Sequence, residues 1–422
     1  SRTSVKILYL FVKIFLLMKA QPTLLSDRIV SIDVLRGAAV LGILIMNIQS
    51  FSMIGAAYIN PTAYENFEGV NKLVWILSHV FADMKFMTIF SILFGAGVIL
   101  FTERLKAKGI NSIAVHYRRT LWLLLFGLAH AYLFWYGDIL VAYAISAFWV
   151  VLLRNVKPRS LLIIGLLVFS IASFLYLLTG IGLPYMDEAS KQGMLESWLP
   201  NAEMINNELA AYRGSWLQQM DKRVEDSLMM QTMLFFIQTG WRVGGLVLIG
   251  MALYKWGILS ATKSNGFYFK LFAFCLIPGF AIVGYGVKTN LLTGFSMEYS
   301  FFLGSQFNYW GSLLVSVGYI AVVMLIVKSG ILKIIIESLQ AVGQMALTNY
   351  LVQTVICTTI FYGHGFGLYG FMERKEQVLI VFAIWVFQMI VSPLWLNYFK
   401  YGPFEWLWRS LTYWHFQPIK RA

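Results

Sequence analysis

Residues 160–183 read SLLIIGLLVFSIASFLYLLTGIGL, and no charged side chain interrupts them. At 1.5 Å per residue a helix of this length reaches about 36 Å, enough to cross about 30 Å of hydrocarbon. A helix at the surface of a soluble domain would carry a polar stripe, whereas this one is apolar all round. Working outward, similar runs fall near 34–55, 86–103, 120–136 and 139–153 on one side, and near 227–254, 268–287, 306–327, 342–362 and 377–398 on the other. The expected fold is therefore all-α, a polytopic helical membrane protein of about ten transmembrane helices. Composition agrees: 59% hydrophobic and 13% charged residues exclude an ordinary soluble domain, for which about 45–50% and about 25% are usual.

The net charge of +13 is read as topology, because basic residues concentrate on cytoplasmic loops. No nucleic-acid partner follows from it. With the N-terminus inside, alternating loops place about 19 basic residues in the cytoplasm and about 9 outside, among them Arg104, Arg119, Arg154, Lys157, Lys255, Lys328, Lys400 and Arg409 on the inner side. Both termini are then cytoplasmic. Residues 1–27 are expected to be a leader or interfacial segment, 28–183 an N-terminal five-helix unit and 226–422 a C-terminal five-helix domain. Between them, 184–225 is polar but carries Leu195, Trp198, Met204, Leu209, Tyr212, Trp216 and Leu217 at helical intervals. It is expected to lie outside as one or two amphipathic helices, covering the surface or closing an outward cleft.

Ionisable residues within spans are the functional candidates, because charge is costly at membrane depth. Asp33 and Arg36 open the first span at pairing distance on a helix, with Ser31 as a candidate cap and Asn47 about three turns further on. Arg36 suits a phosphate or carboxylate of a ligand, and Asn47 either knits helices or orients a carbonyl. Asp83 and Lys85 stand at the outer end of the second span after a segment bearing His79, which is expected to re-enter the membrane; Lys85 there is expected to snorkel. His130 lies near the middle of the third span. Asp138 follows two turns later, out of its reach unless the helix breaks at Gly137, where a tight hairpin is expected. Arg242 interrupts the sixth span between glycines and needs an acid, carbonyls or water. Gln344, Thr348, Asn349 and Gln353 read as interhelical polar contacts, and Glu405 and Arg409 as a pair on an interfacial helix. Neither Cys275 nor Cys357 has metal-ligand spacing, and no metal site is expected.

Five segments in order, Arg28-Ile29-Val30-Ser31-Ile32-Asp33-Val34-Leu35-Arg36-Gly37 with Asn47, Leu93-Phe94-Gly95-Ala96-Gly97, Phe134-Trp135-Tyr136-Gly137-Asp138-Ile139-Leu140, Met345-Ala346-Leu347-Thr348-Asn349-Tyr350 and Gly402-Pro403-Phe404-Glu405-Trp406-Leu407-Trp408-Arg409, resemble the YeiB family of bacterial inner-membrane proteins. The likeness runs from about residue 28 to 413 and implies a multi-pass protein of the bacterial inner membrane with a C-terminal domain of unknown function. More distantly, the Arg28 to Asn47 stretch and the Ala82-Asp83 element are similar to the opening of heparan-α-glucosaminide N-acetyltransferase and of acyltransferase-3 enzymes. That resemblance implies an acyl group moved from cytoplasmic acyl-CoA or acetyl-CoA to a small-molecule, glycan or lipid acceptor. Where acyltransferase-3 proteins carry a His about eleven residues after the Arg, this chain has Asn47, so His130 or His79 would have to serve as base. The expected mechanism has His130 as base, Asn47 and Asp138 assisting it, and Arg36, Asp33, Lys85, Asp83, His79 and Arg242 binding substrate. The alternative is a transporter of a small amphipathic molecule with Arg242, His130, Asp83 and Asp138 along its path. Membrane lipids are expected neighbours, and the oligomeric state is left open, with a homodimer the one assembly considered.

Overall fold

The computed structural model describes residues 28–421, so the expected leader at 1–27 lies outside the described residues. Helices α1 (Val30–Ser52), α2 (Gly69–Phe81), α3 (Lys85–Ala107), α4 (Ser112–Leu133), α5 (Leu140–Val150) and α6 (Pro158–Gly182) come first. Then follow α7 (Glu188–Trp198), α8 (Ala202–Arg213), α9 (Met220–Gln231) and α10 (Gly240–Lys255). The chain continues through α11 (Asn265–Leu292), α12 (Ser305–Ser329), α13 (Lys333–Gln344), α14 (Ala346–Phe361), α15 (Arg374–Tyr398) and α16 (Pro403–Tyr413).

Among the described residues, 7 helical stretches are long and apolar enough to cross a membrane, and Leu140–Leu153 and Ala346–Phe361 are shorter apolar helices. The remaining expected span, α4, is helical too but opens on His116, Arg118 and Arg119. Burial separates centre from periphery. The most apolar window of α1 is 72% buried, whereas those of α11 and α15 are only 22% buried, leaving Phe274 and Leu379 outward and bare. Such outward apolar faces suit lipid, and helices satisfy their own backbone polar groups there.

Small residues set the closest crossings, because nothing but hydrogen at Cα lets two backbones meet. Gly37 of α1 faces the Leu339 carbonyl of α13, and Gly343 of α13 faces the Asp33 carbonyl in return. Gly95 of α3 meets Val247, Gly250 of α10 meets Ile92, and Gly245 meets Gly165 of α6. Of the glycines around Arg242, Gly245 therefore admits a neighbouring backbone, while Gly244 takes the Trp149 indole instead. These crossings interleave helices from both sides of residue 226.

Several local expectations are corrected. The sixth span is α9 and α10 joined through a π turn at Phe235–Thr239, not one straight rod. The ninth breaks at Met345, between α13 and α14, so Gln344 and Thr348 do not share a helix. Segment 184–225 forms three helices rather than one or two, and its Leu209 and Tyr212 pack on Phe361, Tyr362 and Tyr369 as protein core. Ser31 does not cap α1; its hydroxyl donates to the Leu259 carbonyl at 2.9 Å.

Candidate active site

An apolar cavity of about 260 Å³ enters the bundle among α1, α3, α4, α5, α14 and α16. Its polar end holds five arginines, Arg28, Arg36, Arg104, Arg119 and Arg409, against two carboxylates, Asp33 and Glu405. Asp33 is committed to its neighbours, accepting from Arg36 at 2.8 Å and from Arg28 at 3.2 Å. This bears out the helical spacing of Asp33 and Arg36. Glu405 accepts from the Leu347 amide at 2.6 Å and from the Thr348 hydroxyl at 2.5 Å, so it holds the start of α14 and makes no pair with Arg409. Burial pushes the Glu405 carboxyl up, a rise that these donors reduce but do not cancel.

Arg119 and Arg409 therefore keep surplus positive charge. Arg119 lies over the rings of Phe101 and Trp408 at 4.5 and 4.3 Å, and Arg409 over Tyr401 at 4.7 Å; among the described residues neither has a carboxylate partner. Burial, with the like charge of Arg28, lowers Arg409 from the ordinary arginine value. Aromatic faces hold a guanidinium while leaving its N–H edge for an anion.

Further in, the wall is Val40, Ile43, Phe94, Leu123, Ile139, Leu140 and Tyr143, with Tyr350 beside them. His116 also contributes to the wall. Its Nε2 lies 3.0 Å from the Ala147 carbonyl and its Nδ1 has no partner, which leaves an acceptor nitrogen there. Sequence reasoning passed over His116, because it stands beside arginines already assigned to topology. Glu405 and Arg409 were visible but were placed on an interfacial helix.

His130 is behind Tyr350, with ring centres 5.1 Å apart. Its Nδ1 is 2.7 Å from Asp138 Oδ1. The contact, expected only if the helix broke near Gly137, is made because α4 ends four residues before Gly137, at Leu133, and the chain doubles back. Gly137 is required in that reversal, since a Cβ there would strike the Trp135 indole. The other carboxylate oxygen accepts the Val141 amide at 2.8 Å and so starts α5. His130 is 3% exposed and is not part of the cavity wall. Asn47, half-buried on α1, has no hydrogen bond to His130 and does not line the cavity. The structure thus joins His130 to Asp138 but does not join Asn47 to them.

The remaining candidates form a second cluster. His79 Nδ1 lies 3.0 Å from Asp83 Oδ2, which also accepts from Asn308 at 2.7 Å. Lys85 is fully buried and donates to Asn308 Oδ1 and the His79 carbonyl at 2.5 and 2.6 Å, so it does not snorkel. Arg242 donates to Thr88 and Ser312 at 2.8 and 3.1 Å and meets no acid within ion-pair distance. This cluster sits at the start of α3, whereas Arg104 near its end lines the cavity mouth. The helix between them is about 30 Å long. Asn349 and Gln353 do knit helices, reaching Ser392 and Gln388 of α15 at 3.0 and 2.9 Å.

Comparison with known proteins adds lineage. A family profile described as a protein of unknown function (DUF418) matches residues 253–415. The chain is 33% identical over 415 residues to the uncharacterized protein YxaH of Bacillus subtilis (strain 168), covering 95% of this chain and 98% of that one. It is 31% identical over 395 residues to the uncharacterized protein YeiB of Escherichia coli (strain K12), covering 92% and 96%. An uncharacterized 39.9 kDa protein in the amylase 3' region of Bacillus acidopullulyticus is 27% identical over 393 residues. No solved structure matches the chain.

Proposed function

We propose that this chain, which belongs to the YeiB family of multi-pass membrane proteins, transfers an acyl group from cytoplasmic acyl-CoA to a hydroxyl or amine acceptor in the lipid phase or beyond it. One observation carries the reading: the cavity couples an arginine-rich mouth to an apolar interior that ends at Tyr350, against the His130–Asp138 pair. Acyl-CoA has that polarity, phosphates at one end and an acyl thioester at the other. Arg36, Arg119 and Arg409 would hold the phosphates through charge-assisted hydrogen bonds. The apolar wall takes the pantetheine and acyl portions, with the nucleotide left at the mouth, consistent with a volume slightly under the usual range for small-molecule sites, about 300–1,000 Å³.

His130 supplies general-base chemistry, and Asp138 fixes its tautomer and supports the imidazolium that forms. Asn47 has no part in this scheme, since it neither lines the cavity nor bonds to His130, whose ring nitrogens meet Asp138 and Thr354 instead. The bacterial inner membrane is the proposed location, where the positive-inside pattern turns the arginine mouth to the cytoplasm.

The test is release of thiol from acetyl-CoA and octanoyl-CoA by purified protein, with radiolabel followed into lipid and glycan acceptors. The expected result is turnover that falls about 100-fold or more in His130→Ala. Turnover equal in that variant, or none above background in the parent, would sink the reading.

A second reading, transport of an amphipathic anion, is favoured by the buried Arg242, Lys85 and Asp83 at the far end of α3. Between them and the cavity stand Tyr143 and Ser91, whose hydroxyls are 3.1 Å apart. Uptake of labelled octanoyl-CoA into proteoliposomes without thiol release would favour transport.

A further inference from the structure

His130 has a second partner. Its Nε2 lies 2.9 Å from Thr354 Oγ1, across the interface between α4 and α14. Asp138 already accepts the Val141 amide and so acts as a carboxylate acceptor toward Nδ1. Nδ1 then carries the ring hydrogen, and Nε2 presents a lone pair to the Thr354 hydroxyl. Hydroxyl, imidazole and carboxylate in this order are the arrangement that activates an oxygen nucleophile.

Two neighbours add an independent observation. Trp135 Nε1 and the Tyr350 hydroxyl hydrogen are buried without an acceptor, the Tyr350 oxygen itself lying against the Ile139 backbone, and the two rings flank His130 at 6.2 and 5.1 Å. A donor buried without an acceptor is destabilising, and a chain made only for packing would avoid it by placing Phe at either position. Both rings lie beside the relay; of these groups only Tyr350 lines the cavity, so an acyl carbonyl would have to pass the Tyr350 ring to supply the missing acceptor. Tyr350 is one helical turn from Thr354 and also belongs to the cavity wall.

We infer that Thr354 is the nucleophile that first takes the acyl group, so that the protein passes through an acyl-threonine ester. The inference rests on the acyl-transfer reading above. Thr354 Oγ1 bonds to the thioester carbonyl carbon as its proton moves to His130 Nε2. The resulting oxyanion accepts hydrogen bonds from Tyr350 and Trp135. The C–S bond then breaks, and the departing sulfur takes the proton from His130 as free CoA thiol. In the second half, the acceptor hydroxyl or amine gives its proton to His130 and attacks the ester carbon. The ester C–O bond breaks, and Thr354 recovers the proton. No oxidant or metal enters, and the first half needs no acceptor.

The competing account is that Thr354 only ties α14 to α4. Purified full-length protein is incubated with radiolabelled acetyl-CoA or octanoyl-CoA, denatured, and digested for peptide mass spectrometry. The parent and Thr354→Ser are expected to carry an ester at position 354. Thr354→Cys is expected to carry a hydroxylamine-labile thioester there, and Thr354→Val no label, with thiol release down about 100-fold or more. Matching elution and melting profiles establish that Thr354→Val is folded; if it is not, the Ser and Cys variants still decide the matter by where the label sits. Thr354→Val that releases thiol at the parental rate, or label on another residue, overturns the nucleophile and leaves the acyl-transfer reading standing. No thiol release by the parent from either probe overturns both.

Discussion

At the scale of single residues, the division of charge at the cavity mouth makes a kinetic prediction. Asp33 already engages Arg36 and Arg28, so Arg119 and Arg409 have the most to offer an incoming phosphate. A hydrogen bond to a charged group is worth about 1.5–3 kcal/mol, or about 10- to 100-fold in affinity. Arg119→Gln and Arg409→Gln are each expected to raise the KM for acyl-CoA by about that factor and to spare kcat, which separates binding from chemistry. Equal loss of kcat and kcat/KM would instead place these residues at the reacting centre. A second prediction concerns Glu65, in the loop before α2. Burial pushes its carboxyl up to about 7, against the pull of Arg374 and with Glu373 and Glu376 adding to the rise, and its Oε2 has no partner. The folded state therefore binds the proton more tightly than the unfolded chain. The associated stability is present in full below the ordinary 4.5 and is lost as pH rises through about 7. In melts from pH 4.5 to 8 the parent should lose midpoint relative to Glu65→Gln, and parallel curves would refute the assignment.

At the scale of elements, the placement of His130 depends on how α4 ends. The last carbonyls of a helix need partners from outside it, and here α9 and the loop before it provide them. Arg223 Nε donates to the Tyr132 carbonyl at 2.9 Å, Ser227 to Ala131 at 3.1 Å, and Trp216 to Leu133 at 2.8 Å. A fully buried guanidinium at a helix C-terminus also opposes the partial negative charge there. Arg223→Met, which keeps much of the apolar bulk, is expected to cost about 1.5–3 kcal/mol and to loosen the reversal that brings Asp138 to His130. A lower melting midpoint together with a reduced kcat would bear this out, whereas full activity after destabilisation would detach α9 from the site. This arrangement also explains what could be read in advance. Helical spans were legible because about twenty apolar residues in a row leave few alternatives, and the Asp33–Arg36 pair because both lie on one helix. The His130–Asp138 contact was not, since it depends on α4 stopping at Leu133, and that stop depends on Arg223 and Trp216, far along the chain. His116 and Thr354 were invisible for a related reason: each acquires meaning only from a partner on another helix.

At the scale of the whole molecule, orientation decides whether the cavity can meet its donor. The mouth and the Asp83 cluster stand at opposite ends of α3, so whichever side holds Arg104 and Arg119 is the side open to acyl-CoA. The basic loops argue for the cytoplasm, because Lys and Arg are retained on that face during insertion. The polar helices α7 and α8 would then face outward. Background thiols are few, with Cys357 buried and Cys275 partly so, which permits a direct measurement after Cys275→Ala and Cys357→Ala. In that background Gln192→Cys, exposed on α7, is expected to react with a membrane-impermeant maleimide in intact cells. Lys157→Cys, exposed in the turn before α6, should react only after the membrane is opened. The reverse pattern would turn the arginine mouth away from the cytosol, where acyl-CoA is made, and the acyl-CoA reading would fall with it. The packing of α1 against α13 and of α3 against α10 would be untouched, because glycine-mediated crossings do not depend on which face of the membrane they meet.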